Sequence, residues 1–201
     1  AYLVKATAHY AHIIIDNAGT ELALDMALAD TLLQNDIPVK LHVKYHPTFV
    51  SDATIPDLWD FIERCTQRGD VYAAFAKRLT QTFNAERLRF ALHPFWNSTY
   101  FLWEMPDSSD SPNSLEAVFQ AARLTLVKGD ANYRRIVGDA LWSPDTPFSQ
   151  VMGYFPSPIA ALRTLKSDPI VGLQPGKAEP LDAIDPRWRV NGQRGVIQLK
   201  A

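Results

Sequence analysis

Hydrophobic and polar positions along this chain switch between two periods. His12-Ile13-Ile14-Ile15 is a compact run, mostly β-branched, that ends at Asp16 and reads as a buried strand. After Asn17-Ala18-Gly19-Thr20-Glu21 the period lengthens. Leu22, Met26, Ala29, Leu32 and Leu33 recur at helical spacing, with Asp25 and Asp30 between them. Asn35-Asp36-Ile37-Pro38 stops that helix. Val39, Leu41 and Val43 then alternate with Lys40, His42 and Lys44, the two-residue period of a strand. Strand, helix and strand in that order predict a right-handed crossover and a parallel pair.

Further on, Phe49-Val50-Ser51-Asp52 is a short apolar stretch ending in a carboxylate, followed by a helix cap. Helices are predicted over 57–68 and 71–83 and a strand over 88–92. Residues 93–105 are aromatic and irregular, and 107–114, rich in Ser, Asp and Pro, read as an exposed loop. A short helix over 115–122, a strand over 124–127 and a helix over 132–137 come next, with Lys128-Gly129-Asp130 between the last two. Residues 161–166 fit a strand or a helix, with strand preferred; 170–173 read as a further buried segment and 195–199 as a last strand. The alternation predicts one α/β domain over 1–201, Rossmann-like, with three αβα layers and a mostly parallel sheet. Ala1 leads almost directly into a strand-like Tyr2-Leu3-Val4, so the chain reads as a piece of a longer protein.

Composition narrows the function classes. The 201 residues are 47% hydrophobic and 21% charged, as in a soluble globular domain. A net charge of -2 and the lack of a basic run predict no nucleic-acid partner and no anionic-membrane partner. No apolar run approaches the roughly 20 residues of a membrane helix. Cys65 is the single cysteine, which excludes an intrachain disulfide and a cysteine-rich zinc site. With no signal peptide visible, the expected compartment is the cytoplasm, with the nucleus as a second.

The candidate chemistry lies at the strand ends. Asp16, Asp52 and Asp130 each close an apolar run, and in an open α/β sheet the strand carboxyl ends face one crevice. Crowded carboxylates repel unless a cation sits among them, and oxygen ligands suit a hard ion such as Mg²⁺ or Mn²⁺. Asn17 adds an amide oxygen beside Asp16. A strand-end Asp taken alone is more simply a cap of the following helix. Lys128, Arg134, Arg163 and Lys166 lie near these ends in sequence and are the donors that a metal-held phosphate needs. None of His9, His12, His42, His46 and His93 has helical ligand spacing, and core or surface roles are expected for them. Ser51 lacks a nucleophile-elbow context, and there is no P-loop. Trp96, Tyr100 and Trp103 are read as core before pocket.

These segments together resemble the metal-dependent damage-control phosphatases, in the subfamily of acidic-residue methyltransferase-1-like proteins. The resemblance rests on Asp16-Asn17-Ala18-Gly19-Thr20-Glu21-Leu22, Ala29-Asp30 and Pro47-Thr48-Phe49-Val50-Ser51-Asp52. It continues through Lys128-Gly129-Asp130-Ala131-Asn132-Tyr133-Arg134-Arg135, the Arg-Thr-x-Lys element Arg163-Thr164-Leu165-Lys166, and Gly172-Leu173-Gln174-Pro175-Gly176, to a tail with Trp188 and Gly195. The resemblance implies Asp16, Asn17 and Asp52 as metal ligands. It implies Glu21, Asp52, Asp130, Asn132, Tyr133, Arg134 and Lys166 as substrate contacts. It further implies hydrolysis of small sugar phosphates, such as fructose 1-phosphate or fructose 6-phosphate, with Mn²⁺ foremost and Mg²⁺, Co²⁺ or Ni²⁺ as alternatives. The family pattern carries a largely helical region ahead of the first motif, expected in the part of a longer protein that precedes Ala1, and Ala131 stands where Leu is usual.

The expected mechanism is metal-assisted attack of water on a phosphate ester, with Lys166 and Arg134 neutralising charge and Asp52 or Asp130 taking the proton. The first rival is S-adenosylmethionine-dependent carboxyl (glutamate) methyl transfer, which usually wants a glycine-rich turn where only Gly19 stands. The second is a non-catalytic metal-binding fragment.

Overall fold

The computed structural model describes residues 10–105 and 114–201. Tyr2-Leu3-Val4, His9 and most of the predicted 107–114 loop lie outside the described residues. The fold is α/β with a six-stranded, mostly parallel sheet of the Rossmann-like three-layer type. The chain divides into two compact units, Ala1–Thr99 with Ala121–Arg123, and Tyr100–Gln120 with Leu124–Ala201.

The first unit holds β1 (Ala11–Ile14), α1 (Thr20–Gln34), β2 (Val39–Val43), α2 (Ile55–Arg68), α3 (Asp70–Asn84) and β3 (Leu88–Leu92). Its strands run in the order β3-β2-β1, all parallel, with Ala11 opposite Val39 and Val39 opposite Leu88. Leu22, Met26, Ala29, Leu32 and Leu33 of α1 are buried as their spacing predicts, but so are Asp25 and Asp30. Asp30 accepts from Arg78 of α3 through Nη2 at 2.7 Å and from Gln34 at 2.8 Å, so a charge pair ties the two helices. Helix α2 begins two residues earlier than predicted. Thr54 and Asp57 form a reciprocal capping box there, with Thr54 N donating to Asp57 Oδ2 at 2.8 Å.

Strand β2 departs from a one-sided pattern. Val39, Leu41 and Val43 are buried, and so are His42 and Lys44 on the alternate positions. A parallel strand covered on both faces keeps neither face wet. His12 Nδ1 and His42 Nε2 are hydrogen-bonded at 2.8 Å, and the Trp96 ring lies edge-on to His42 with centroids 5.4 Å apart. Burial, helped by Lys40, lowers the His12 pKa to about 3 and drives His42 in the same direction. His12, His42 and Trp96 are therefore core groups, as expected of them, and His46 is exposed. Trp103 and Tyr100 are exposed instead.

The second unit holds α4 (Leu115–Gln120), β4 (Leu124–Lys128), α5 (Asp130–Val137), α6 (Phe148–Val151), β5 (Ile159–Thr164), α7 (Ala178–Ile184) and β6 (Gly195–Lys200). The order is β4-β5-β6, with β4 and β5 parallel and β6 antiparallel to β5. The strand predicted over 161–166 is present but ends at Thr164, leaving Leu165 and Lys166 in the following loop. Ile170 and Val171 are buried, as expected, without forming a strand. Leu165, Ile170, Ala178 and Trp188 make a small core that anchors this loop, and Trp188 Nε1 donates to Asp182 at 2.7 Å. The short helices α6 and α7 carry no sequence signal strong enough to predict them.

Candidate functional site

In the first unit, two loop segments are zipped together by their backbones. Ala18 N donates to Ser51 O at 2.7 Å and Ala53 N to Asp16 O at 2.9 Å, and Asn17 and Asp52 form an antiparallel bridge. Gly19, at φ 72°, turns the chain from Asn17 into α1, a conformation that favours glycine. The result places Asp16, Asn17, Glu21, Ser51 and Asp52 side by side. Asn17 Nδ2 donates to Asp16 Oδ2 at 3.0 Å and to Glu21 Oε2 at 2.9 Å, while Ser51 Oγ donates to Asn17 Oδ1 at 2.6 Å. The amide is thus held with its nitrogen toward the carboxylates and its oxygen toward Ser51.

Asp52 does not end a strand, which corrects the topological expectation. Phe49 is 59% exposed and Val50 fully exposed, so this apolar stretch has no sheet to join and forms a turn closed by Asp52 N to Phe49 O at 3.1 Å. Asp52 itself is buried. Its Oδ2 accepts from Lys44 Nζ at 2.6 Å, Thr48 N at 2.9 Å and Phe49 N at 2.8 Å. Its Oδ1 is also buried but has no hydrogen-bond partner among the described residues.

A buried carboxylate oxygen without a donor is unfavourable unless a cation meets it. Two carboxylates and one amide oxygen form a hard, all-oxygen donor set, which suits a small divalent ion once the Asn17 amide turns its oxygen from Ser51 toward the carboxylates and gives up its bonds to Asp16 and Glu21. Among the described residues no cluster of three or more His, Cys, Asp or Glu side chains gathers for a metal. The set here counts only two acids, its third member being an amide.

The second unit builds a different group. Gly129, at φ 86°, turns β4 into α5 and puts Asp130 at the helix start. Asp130 Oδ1 accepts from Arg163 Nε at 2.7 Å and from the Lys166 backbone N–H at 3.1 Å. Arg163 is wholly buried. It also donates to Ser167 O at 2.7 Å, to Ser167 Oγ at 2.8 Å and to Pro169 O, and its guanidinium lies 4.3 Å from the Tyr133 ring centroid. The arginine of the Arg-Thr-x-Lys element is therefore a scaffold that folds the loop presenting Lys166. Thr164 and Lys166 are exposed and Leu165 is buried. The Lys166 ammonium makes no ion pair among the described residues.

The other basic and polar candidates are engaged within the protein. Arg134 is held by Asp139 through Nε at 2.6 Å and Nη2 at 2.5 Å. Tyr133 is buried, donates to Gln198 Oε1 at 3.0 Å and accepts from Val171 N at 3.3 Å. Burial pushes its phenol pKa up. Asn132 Nδ2 donates to Lys128 O at 3.0 Å. Sequence reasoning missed Lys44 and Gln198. Neither carries a local signal, because each acts on a residue distant along the chain.

Residues 1–181 match the model of the damage-control phosphatase ARMT1-like domain. The chain belongs to this family. It is 36% identical over 198 residues to damage-control phosphatase ARMT1 of Homo sapiens, an alignment covering 96% of this chain and 44% of that protein. The protein of the same name in Danio rerio is 36% identical over 193 residues, covering 94% and 42%. That of Xenopus laevis is 34% identical over 191 residues, covering 93% and 43%. The chain thus spans less than half the length of these relatives. No helix among the described residues is long and apolar enough to cross a membrane.

Proposed function

We propose that this chain carries the metal-dependent hydrolysis of phosphate monoesters, acting on small sugar phosphates such as fructose 1-phosphate or fructose 6-phosphate. The observation that carries the reading is the buried Oδ1 of Asp52, which has no hydrogen-bond partner among the described residues, in a segment bridged to Asp16 and Asn17. Those three residues would hold one divalent ion, Mn²⁺ foremost, with Mg²⁺, Co²⁺ or Ni²⁺ as alternatives. When bound, the ion supplies a Lewis acid for a phosphoryl oxygen and lowers the pKa of a bound water.

The chain's own residues supply the rest. Glu21 fixes the Asn17 amide, and with Asp52 it borders the substrate. Lys166, exposed and without an ion pair among the described residues, would offer its ammonium to the charge that develops on the transferring phosphoryl group. Asp130 keeps Oδ2 without a hydrogen bond among the described residues, and that oxygen accepts from the substrate or the attacking water. Asn132 and Tyr133 shape the first turn of α5, since their side chains are already bonded within the protein. Arg134 reaches a phosphate by exchanging it for Asp139.

The test is phosphate release from fructose 1-phosphate by the full chain, with and without Mn²⁺. Asp16→Ala should abolish the metal-dependent rate while circular dichroism shows an unchanged fold. Full activity in that variant would overturn the reading.

A further inference from the structure

Among the described residues, three donors converge on one oxygen of Asp52 and none on the other. Oδ2 takes Lys44 Nζ, Thr48 N and Phe49 N, whereas Oδ1 is buried with no hydrogen-bond partner among the described residues. Lys44 is no surface lysine. Its side chain is 8% exposed and that of Asp52 1%. A buried ammonium is retained where a specific partner holds it. Its backbone is fixed as well: Lys44 N donates to Ala53 O at 3.3 Å, and the ammonium lies 5.5 Å from the Phe49 ring centroid.

We infer that Lys44 is a positioning and specificity-determining residue of the metal centre, occupying Asp52 Oδ2 and so limiting Asp52 to single-oxygen coordination through Oδ1. The inference rests on the reading of Asp16, Asn17 and Asp52 as ligands. Its chemical consequence is discrimination between cations. Ca²⁺ gathers six to eight oxygens and often takes both oxygens of a carboxylate, whereas Mg²⁺-sized ions take six in octahedral array. Withdrawing one oxygen of Asp52 handicaps Ca²⁺, while the bond from Lys44 fixes the carboxylate so that Oδ1 is oriented for a smaller ion.

The test is calorimetric titration of the full chain with Mn²⁺ alone and with Ca²⁺ alone, in wild type, Lys44→Met and Lys44→Arg. Loss of an outer-shell partner typically costs about 10–100-fold in metal affinity. Lys44→Met should therefore lose about tenfold or more for Mn²⁺ while keeping or gaining Ca²⁺ affinity, so the Mn²⁺/Ca²⁺ preference falls by at least that factor. Lys44→Arg keeps a cation on Oδ2 and should keep the preference. An unchanged preference in a folded Lys44→Met protein that still binds Mn²⁺ would overturn the role of Lys44 alone. Absence of Mn²⁺ binding in wild type would sink the ligand reading and this inference with it. Should Lys44→Met not fold, nitrogen NMR of the wild-type lysine ammonium groups decides. The Lys44 signal should stay protected from exchange at saturating Mg²⁺, and its release to the solvent-exposed lysine position would refute the inference.

Discussion

Replacing Arg163 with Met keeps an unbranched stem of similar reach and removes the guanidinium. In the native protein that group is wholly buried and donates to Asp130, to Ser167 twice and to Pro169 O, while covering the Tyr133 ring. The variant leaves two backbone carbonyls without these donors and strands the Asp130 carboxylate, whose side chain is only 15% exposed. Removing one partner of a buried pair costs about 3–5 kcal/mol. The residual solvent access of Asp130 places the expected loss near the lower end, about 3 kcal/mol. Out of a total of about 5–15 kcal/mol for a typical domain, that is a large fraction. Urea unfolding of Arg163→Met, Asp130→Asn and the double variant measures it. Neutralising Asp130 in the Met background should recover about 1–2 kcal/mol, because the stranded charge is part of the cost. Exchange of the Lys166 amide should also quicken, since it shares Asp130 Oδ1. A loss below about 1 kcal/mol, with the two changes simply additive, would refute the account of Arg163 as the scaffold of the Lys166 loop.

Two other perturbations probe different parts of the chain. Burial lowers the His12 pKa to about 3 and His42 in the same direction, with Lys40 facing both rings and His93 facing His42. Below the unfolded value of 6.5 the unfolded chain binds protons that the native chain refuses, so stability present at pH 7 drains away as pH falls toward 3. For His12 alone the drop between pH 7 and pH 5 is about 2 kcal/mol. Equal urea midpoints at those two pH values would contradict it. Lys166→Met removes an exposed ammonium that makes no ion pair among the described residues. It should leave the melting temperature within a few degrees of wild type and lower the metal-dependent kcat by roughly 10²–10³. A variant with normal turnover would refute the proposed substrate role of Lys166.

Much of the fold was legible because strong periodicity coincides with punctuation. Val39–Val43 and Leu88–Leu92 fall where alternation and flanking turns place them, and Asn35 to Pro38 stops α1 as read. The misreadings share a physical origin, namely that burial is a tertiary property. Lys44 looks like the polar face of a strand, yet it is buried against Asp52. Phe49 and Val50 look like a buried strand, yet they are exposed on a turn that Asp52 caps. Arg163 reads as a phosphate donor by its place near the strand ends in sequence, but its guanidinium is enclosed by Asp130, Ser167 and Pro169. The Asp16-Asn17 pair and Asp52 were recognisable from the family-like pattern around them. Their division of labour, with Asn17 oriented by Ser51 and Asp52 by Lys44, appears only once the two segments are zipped together.

The central claim is that Asp16, Asn17 and Asp52 share one divalent ion. Crystals of the full chain soaked in Mn²⁺ and measured at the manganese edge test it most directly. The account predicts a single strong anomalous peak in contact with Asp16, Asn17 and the Oδ1 atom of Asp52, with Oδ2 still bonded to Lys44. A peak held by other residues, or no peak at saturating Mn²⁺, would contradict it.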